Sequence, residues 1–301
     1  MNRDILKRIK FRETRRKKTG GSGTPLGKTR KKLKSYAEAP RKFTKIFTKT
    51  ASHLRKIKKI EEEHGQLSQK GLHAHILAWA REILGVIDID VSIKGQLPDE
   101  SRPVLFVGNH VSYIDIPLLM ASVPVVFVSK AEVSKWLVIG PASKRAGTVF
   151  VKRESTSSRH RTVQAITDCL LERKQSLAIF PAGTTSINES KPWKPGALKI
   201  AARHKIPVQP FRLTYEPLRK VAFIDDDILP THLWSLLAHG DRVKAVLEFG
   251  EPIFINDPVQ DCEKIWHWTQ GAHAEPTKPS GQRSEKKSIL PWKRRSKKDN
   301  P

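Results

Sequence analysis

From residue 89 onward the chain alternates two hydrophobic patterns. Short apolar runs occupy Val104–Val107, Val125–Val128, Thr148–Val151, Leu177–Phe180 and Val208–Leu213, and Val243–Phe249 reads as a later strand. Unbroken runs of this length are expected of strands covered on both faces. Between them, apolar residues recur at helical spacing: Val163, Ile166 and Leu170 within 158–174, and a terminal stretch over 258–269. The pattern predicts an α/β domain, with a central and largely parallel sheet flanked by helices.

Upstream lie two amphipathic stretches. Residues 71–87 carry Leu72, Ile76, Trp79, Ile83 and Ile87 on one face, as a core helix would. Residues 42–60 place Phe43, Ile46, Phe47, Ala51, Leu54 and Ile57 on one face and Lys45, Lys49, Lys56 and Lys59 on the other. Two arrangements suit this basic helix: lying in a membrane interface, or packing on the body with its lysines in water. The expected organisation is a disordered basic arm over 1–41, the basic helix and a linker over 42–70, the main domain over 71–270, and a disordered basic tail over 271–301.

Charge sharpens this division. The chain of 301 residues has 56 Lys and Arg against 30 Asp and Glu, a net charge of +26. Residues 1–60 hold 22 basic and 3 acidic side chains, residues 277–301 hold 9 and 2, and the stretch between has 25 of each. A neutral body thus carries two basic ends, which suit an anionic surface, either a membrane leaflet or nucleic acid. Against nucleic acid stand the scarcity of interleaved aromatics and the lack of a recognised binding motif. The two cysteines, Cys169 and Cys262, make no disulfide framework or metal-ligand spacing and suit a reduced compartment. His73 and His75 have no third ligand near in sequence, and no metal site is expected. His204 reads as structural. Trp136, Trp193, Trp266 and Trp268 read as core or rim packing before lipid contact. The first residues lack the apolar core of a signal peptide, and no run of about 18 apolar residues predicts a membrane-spanning helix.

The candidate chemistry lies in "GNHVSYIDIPLL", residues 108–119. His110 follows the strand 104–107, and ligands of open α/β sheets bind at the carboxyl ends of strands. Asp115 begins a helix-like segment. Five residues apart on one helix the two side chains would diverge, but across a strand-to-helix turn the carboxylate can fold back on the imidazole. A carboxylate on one ring nitrogen fixes the tautomer and leaves the other nitrogen as a base. The plainer alternative is an aspartate that caps its helix beside an ordinary turn histidine. No G-x-S-x-G sequence supplies a protein nucleophile.

Three further segments have the same strand-end placement: "VFVKRES", "FPAGTTS" and "IPVQP". With the first they resemble, in order and spacing over about residues 71–256, the 1-acylglycerol-phosphate acyltransferases, or lysophospholipid acyltransferases. The N-H-x₄-D block of that family is matched by Asn109, His110 and Asp115. A strand running into basic and hydroxyl residues is matched around Phe150–Ser155. The F-P-E-G-T-R-S block is matched at Phe180, Pro181, Gly183, Thr184 and Ser186, and a proline-bounded strand entry at Pro207 and Pro210.

The resemblance implies transfer of an acyl group from a thioester donor, acyl-CoA or acyl-carrier protein, to a lyso-lipid hydroxyl, without metal or bound cofactor. It makes His110 the base and Asp115 its orienting partner. It places Asn109, Lys152, Arg153, Gly183, Thr184 and Thr185 at the substrate, the turn 183–185 bordering the acceptor head group. Lys152 and Arg153 read equally as a solvated strand end, and Lys130 as either a family lysine or a surface one. The chain departs from the family at Ala182, where Glu is usual, and at Thr185, where Arg is common. A threonine lacks the bidentate charged grip of arginine on phosphate, which favours an acceptor such as a lyso-ornithine lipid or, alternatively, a non-catalytic relative. The expected setting is peripheral, on an anionic leaflet at the cytoplasmic side of a membrane. A hydrolase using His110 with water is the other enzymatic reading.

Overall fold

The computed structural model describes residues 25–97, 99–151, 156–188, 193–224 and 226–270. Its centre is a seven-stranded sheet in the order β1-β7-β6-β2-β5-β3-β4. The strands are β1 (Ile89–Lys94), β2 (Leu105–Gly108), β3 (Val126–Lys130), β4 (Val149–Val151), β5 (Leu177–Ile179), β6 (Val208–Glu216) and β7 (Val243–Phe249). Among the pairings of these described strands, β6–β7 alone is antiparallel. The expected fold class is therefore the observed one. The apolar runs mark the inner strands: β2 and β5 are buried along their whole length, whereas β1 and β7 alternate.

Helices cover both faces. In chain order they are α1 (Pro25–His64), α2 (Gln69–Ile87), α3 (Asp115–Met120), α4 (Ile139–Arg145), α5 (Thr156–Leu171), α6 (Gly196–His204), α7 (Leu218–Val221), α8 (Leu229–Leu237) and α9 (Pro258–Gln270). Phe106 and Ala178 point into one core layer with Leu84, Leu118 and Leu236. Their neighbours Leu105, Val107, Leu177 and Ile179 point into the other, with Leu170, Leu198 and Ile265. The period-two alternation of the strands thus divides the apolar side chains between two layers. Trp193 and Trp266 are buried in the second layer, Trp136 is exposed, and Trp268 lies under the Arg212 guanidinium.

The N-terminal helix corrects one expectation and adopts one of the two arrangements foreseen for it. It starts at Pro25 rather than at residue 42, so part of the anticipated disordered arm, residues 25–41, is helical. The reason lies in small and polar contacts that a hydrophobic pattern does not register. Ala39 is fully buried, and the Ser35 hydroxyl donates to Ala238 O at 2.6 Å. The apolar face of the helix packs on the body rather than standing free: Phe43 and Ile46 lie against the first core layer, and Ile57 is buried. Trp79 Nε1 donates to Thr50 Oγ1 at 2.9 Å, and Lys49 pairs with Glu82 at 2.6 Å. Arg145 and Glu61 form a further ion pair. The expected arm over 1–24 and the tail over 271–301 lie outside the described residues. Among the described residues, no helix is long and apolar enough to cross a membrane.

Candidate active site

The site is built where β2 ends. Gly108 closes that strand because β6 passes too near for any side chain. A Cβ there would lie 2.4 Å from the carbonyl oxygen and ring of Phe211. Asn109 follows and makes two hydrogen bonds to one residue of β6: its Nδ2 donates to Leu213 O at 2.9 Å, and its Oδ1 accepts from Leu213 N at 2.8 Å. Both ends of the amide that the resemblance places at the substrate are thus engaged with β6. The amide locks the strand end to its neighbour and so sets the direction in which the next residue leaves the sheet.

That residue is His110. The chain then turns, with Asp115 N–H donating to Ser112 O at 3.1 Å, and α3 begins. The turn brings the Asp115 carboxylate back under the imidazole, and Oδ2 lies 2.7 Å from His110 Nδ1. The same oxygen accepts from Val111 N at 2.7 Å and Ser112 N at 3.0 Å, while Oδ1 accepts from Tyr215 Oη at 2.6 Å. Asp115 is 0% exposed, so a charge at this position requires such partners. Four donors surround it, two of them backbone groups of its own turn. Asp115 does not cap its helix, which has no side-chain cap; its carboxylate instead closes the turn before the helix and holds the histidine.

Tyr215 is the group that sequence reasoning missed. It lies 100 residues away, at an inward position of β6, with nothing local to mark it. Burial, and then the adjacent Asp115 charge, push its phenol well above the ordinary value. It stays protonated and donates to the carboxylate.

The His110 ring is fixed in plane as well as in tautomer. Phe180 stacks on it with centroids 3.9 Å apart and an 11° interplanar angle, and is itself braced by Phe127 and Phe211. With Nδ1–H given to the carboxylate, the basic lone pair of the ring lies on Nε2. The side chain is 19% exposed, against 0% for Asp115, so the imidazole sits at the rim and its anchor beneath.

The 180–186 block wraps this histidine. Ser186 N–H donates to His110 O at 2.8 Å, and Gly183 N–H turns back to Phe180 O at 3.0 Å. Gly183 has φ +77°, a conformation that suits glycine. Thr184 is exposed on this turn. Thr185 differs from expectation: its hydroxyl donates to Phe223 O, so it ties down the segment after β6. Phe223 N–H in turn donates to Val111 O at 3.0 Å. The structure thus brings His110, Asp115 and the 183–185 turn together. Lys152 and Arg153 lie outside the described residues.

An imidazole anchored in this way, at the carboxyl end of a central strand, suits proton abstraction from a hydroxyl. The comparisons with known proteins concern the family of the chain and its fold. A family model described as Acyltransferase matches residues 88–214. Over 180 residues the chain is 37% identical to a lyso-ornithine lipid O-acyltransferase of Pseudomonas aeruginosa, covering 58% of this chain and 68% of that protein. It is 30% identical over 168 residues to a 1-acyl-sn-glycerol-3-phosphate acyltransferase of Neisseria meningitidis, covering 54% and 66%. In fold it resembles the crystal structure of the 1-acyl-sn-glycerophosphate acyltransferase PlsC of Thermotoga maritima, with a TM-score of 0.58 at 18% identity, over 81% of this chain and 94% of that one. On this likeness the chain belongs to the Acyltransferase family and is an acyltransferase.

Proposed function

We propose that the chain transfers a fatty acyl group from an acyl thioester, either acyl-CoA or acyl-carrier protein, to the hydroxyl of a lyso-lipid. The observation that carries this reading is the 2.7 Å contact between His110 Nδ1 and a fully buried Asp115. His110 Nε2 takes the acceptor's hydroxyl proton as the oxygen attacks the thioester carbonyl. The imidazolium so formed is stabilised by Asp115. Collapse of the tetrahedral intermediate breaks the C–S bond, and the leaving sulfur takes the proton from Nε2. The products are an ester and a thiol, with His110 restored. The chain's own residues supply the base and its orientation, and the thioester is a substrate. General base catalysis of this kind contributes roughly 10²–10⁴ in rate.

The relatives act, by their names, on lyso-ornithine lipid and on 1-acylglycerol-3-phosphate. Thr185 favours the first for this chain. It carries no charge, and its hydroxyl is already given to Phe223 O, so it offers no cationic grip on a phosphate. The enzyme meets its lipid at an anionic, cytoplasmic leaflet. With Phe43 and Ile46 packed on the body, attraction falls to lysines on the outer face of α1, such as Lys45, Lys56, Lys58 and Lys59, which are exposed. Each contributes about 1 kcal/mol near an anionic surface.

A screen of wild-type enzyme with labelled acyl-CoA and a panel of lyso-lipids tests the reaction. Esterified lipid is the expected product; free fatty acid alone, whatever the acceptor, would establish a hydrolase instead. Flotation with anionic vesicles should recover the protein at low salt and lose it at high salt. Equal recovery with neutral vesicles at any salt would remove the electrostatic account of docking.

A further inference from the structure

The segment that follows β6 folds back over the catalytic turn. Phe223 is held by Val111 on one side and Thr185 on the other. Tyr113, three residues after His110, sets its ring edge-on to Phe223 and His232, with centroids 5.4 and 5.6 Å away. Its hydroxyl lies 3.0 Å from His232 Nδ1, and His232 Nε2 lies 2.9 Å from Ala222 O. A carbonyl accepts only, so Nε2 carries hydrogen and Nδ1 accepts from the tyrosine. Burial is the largest influence on His232 and lowers its pKa, which keeps this layer neutral.

Past this single aromatic layer opens a cleft of about 450 Å³, within the range of small-ligand sites. Arg219 and Lys220 of α7 line it, as do Asp226 and Asp227 from the loop leading to α8, together with Thr231 and His232. Asp227 is fixed in place, since its Oδ2 accepts from Ile224 N–H at 3.0 Å. Among the described residues, two cations and two carboxylates share this cleft. A phosphate monoester, with close to two negative charges, would meet both carboxylates on entry. A head group bearing an ammonium and a carboxylate would meet a partner for each.

We propose that this cleft receives the acceptor's head group and selects a zwitterion, placing its ammonium at Asp226 and Asp227 and its carboxylate toward Lys220 and Arg219. The assignment rests on the proposed acyl transfer to a lyso-lipid and adds where its head group is held and which side chains select it.

Two measurements test it. In the first, acyl transfer from acyl-CoA is compared for lyso-ornithine lipid and an uncharged monoacylglycerol, in wild type and in the double variant Asp226→Asn, Asp227→Asn. An amide at 227 keeps an oxygen for Ile224 N–H. The ratio of kcat/KM values, zwitterion over neutral, should fall about tenfold, the change expected for a lost charge-assisted hydrogen bond. A ratio within twofold of wild type overturns the proposal. In the second, binding of N-hexanoylornithine, which has no hydroxyl to acylate, is followed by NMR on the same two proteins. Binding to wild type that weakens in the variant supports the cleft even if no acceptor is turned over, in which case only the lyso-lipid reading fails. Absence of binding, or equal binding by both proteins, overturns the cleft whatever the activity.

Discussion

Asp115→Asn is the substitution that best separates catalysis from architecture. The amide is almost the same shape as the carboxylate. Its oxygen can take the place of Oδ2 and accept from Val111 N–H, Ser112 N–H and His110 Nδ1–H. Its nitrogen then faces Tyr215, whose hydroxyl can turn to accept. The turn keeps its hydrogen bonds, and only the negative charge is lost. That charge matters most when His110 holds the substrate's proton. At an effective dielectric of about 20, opposite charges about 4 Å apart attract by about 4 kcal/mol. Part of this is already offset by the dipoles that remain, so the expected loss in kcat is on the order of 10²–10³. The assay is acyl transfer under saturating donor, alongside a thermal melt. The variant should melt within a few degrees of wild type. A kcat within about fivefold of wild type, in a protein with an unchanged melt, would refute the role given to the carboxylate.

Other substitutions probe the supports. Tyr215→Phe leaves Asp115 Oδ1 buried without its donor, at a cost of roughly 1.5–3 kcal/mol. It should lower the melting temperature by about 4–10 °C while activity falls less than in Asp115→Asn; an unchanged melt would contradict the contact. Gly108→Ala drives a methyl group into Phe211, and urea titration should show a loss of roughly 1–3 kcal/mol or more, whereas full stability would mean that β6 does not pass so close. His53, His73 and His232 all have lowered pKa values, burial being the largest cause. Each binds a proton less readily when folded than its ordinary value of 6.5 allows. Their contribution to stability is therefore complete above about pH 6.5 and lost as the pH falls below it. Melts between pH 7.5 and 5 should show this decline, and His53→Gln should flatten part of it; a melting temperature independent of pH would contradict it.

Strands were legible because burial on both faces leaves little room for polar residues. β2 and β5 announce themselves as short apolar runs, and the helices between them by spacing. The turn from His110 to Asp115 was legible for a local reason: five residues and one bend bring the pair together. What was not legible depends on contacts across the chain. Asn109 looks like a ligand in the sequence, and only the approach of Leu213 shows that its amide is engaged. Tyr215 is an ordinary aromatic in a strand until β6 is laid beside β2. Thr185 looks available in its turn and is directed elsewhere by Phe223. The length of α1 was missed because its first buried residues, Ser35 and Ala39, are small or polar, and helix packing can depend on such residues as much as on large apolar ones.

The central claim is that the His110 imidazole removes the acceptor's proton. Acyl transfer by His110→Ala, measured with labelled acyl-CoA and the best acceptor for wild type, tests it most directly. The side chain sits at the rim, so the variant should keep its circular dichroism spectrum and cooperative melt while transfer falls at least a hundredfold. Transfer at the wild-type rate by that well-folded protein would contradict the mechanism.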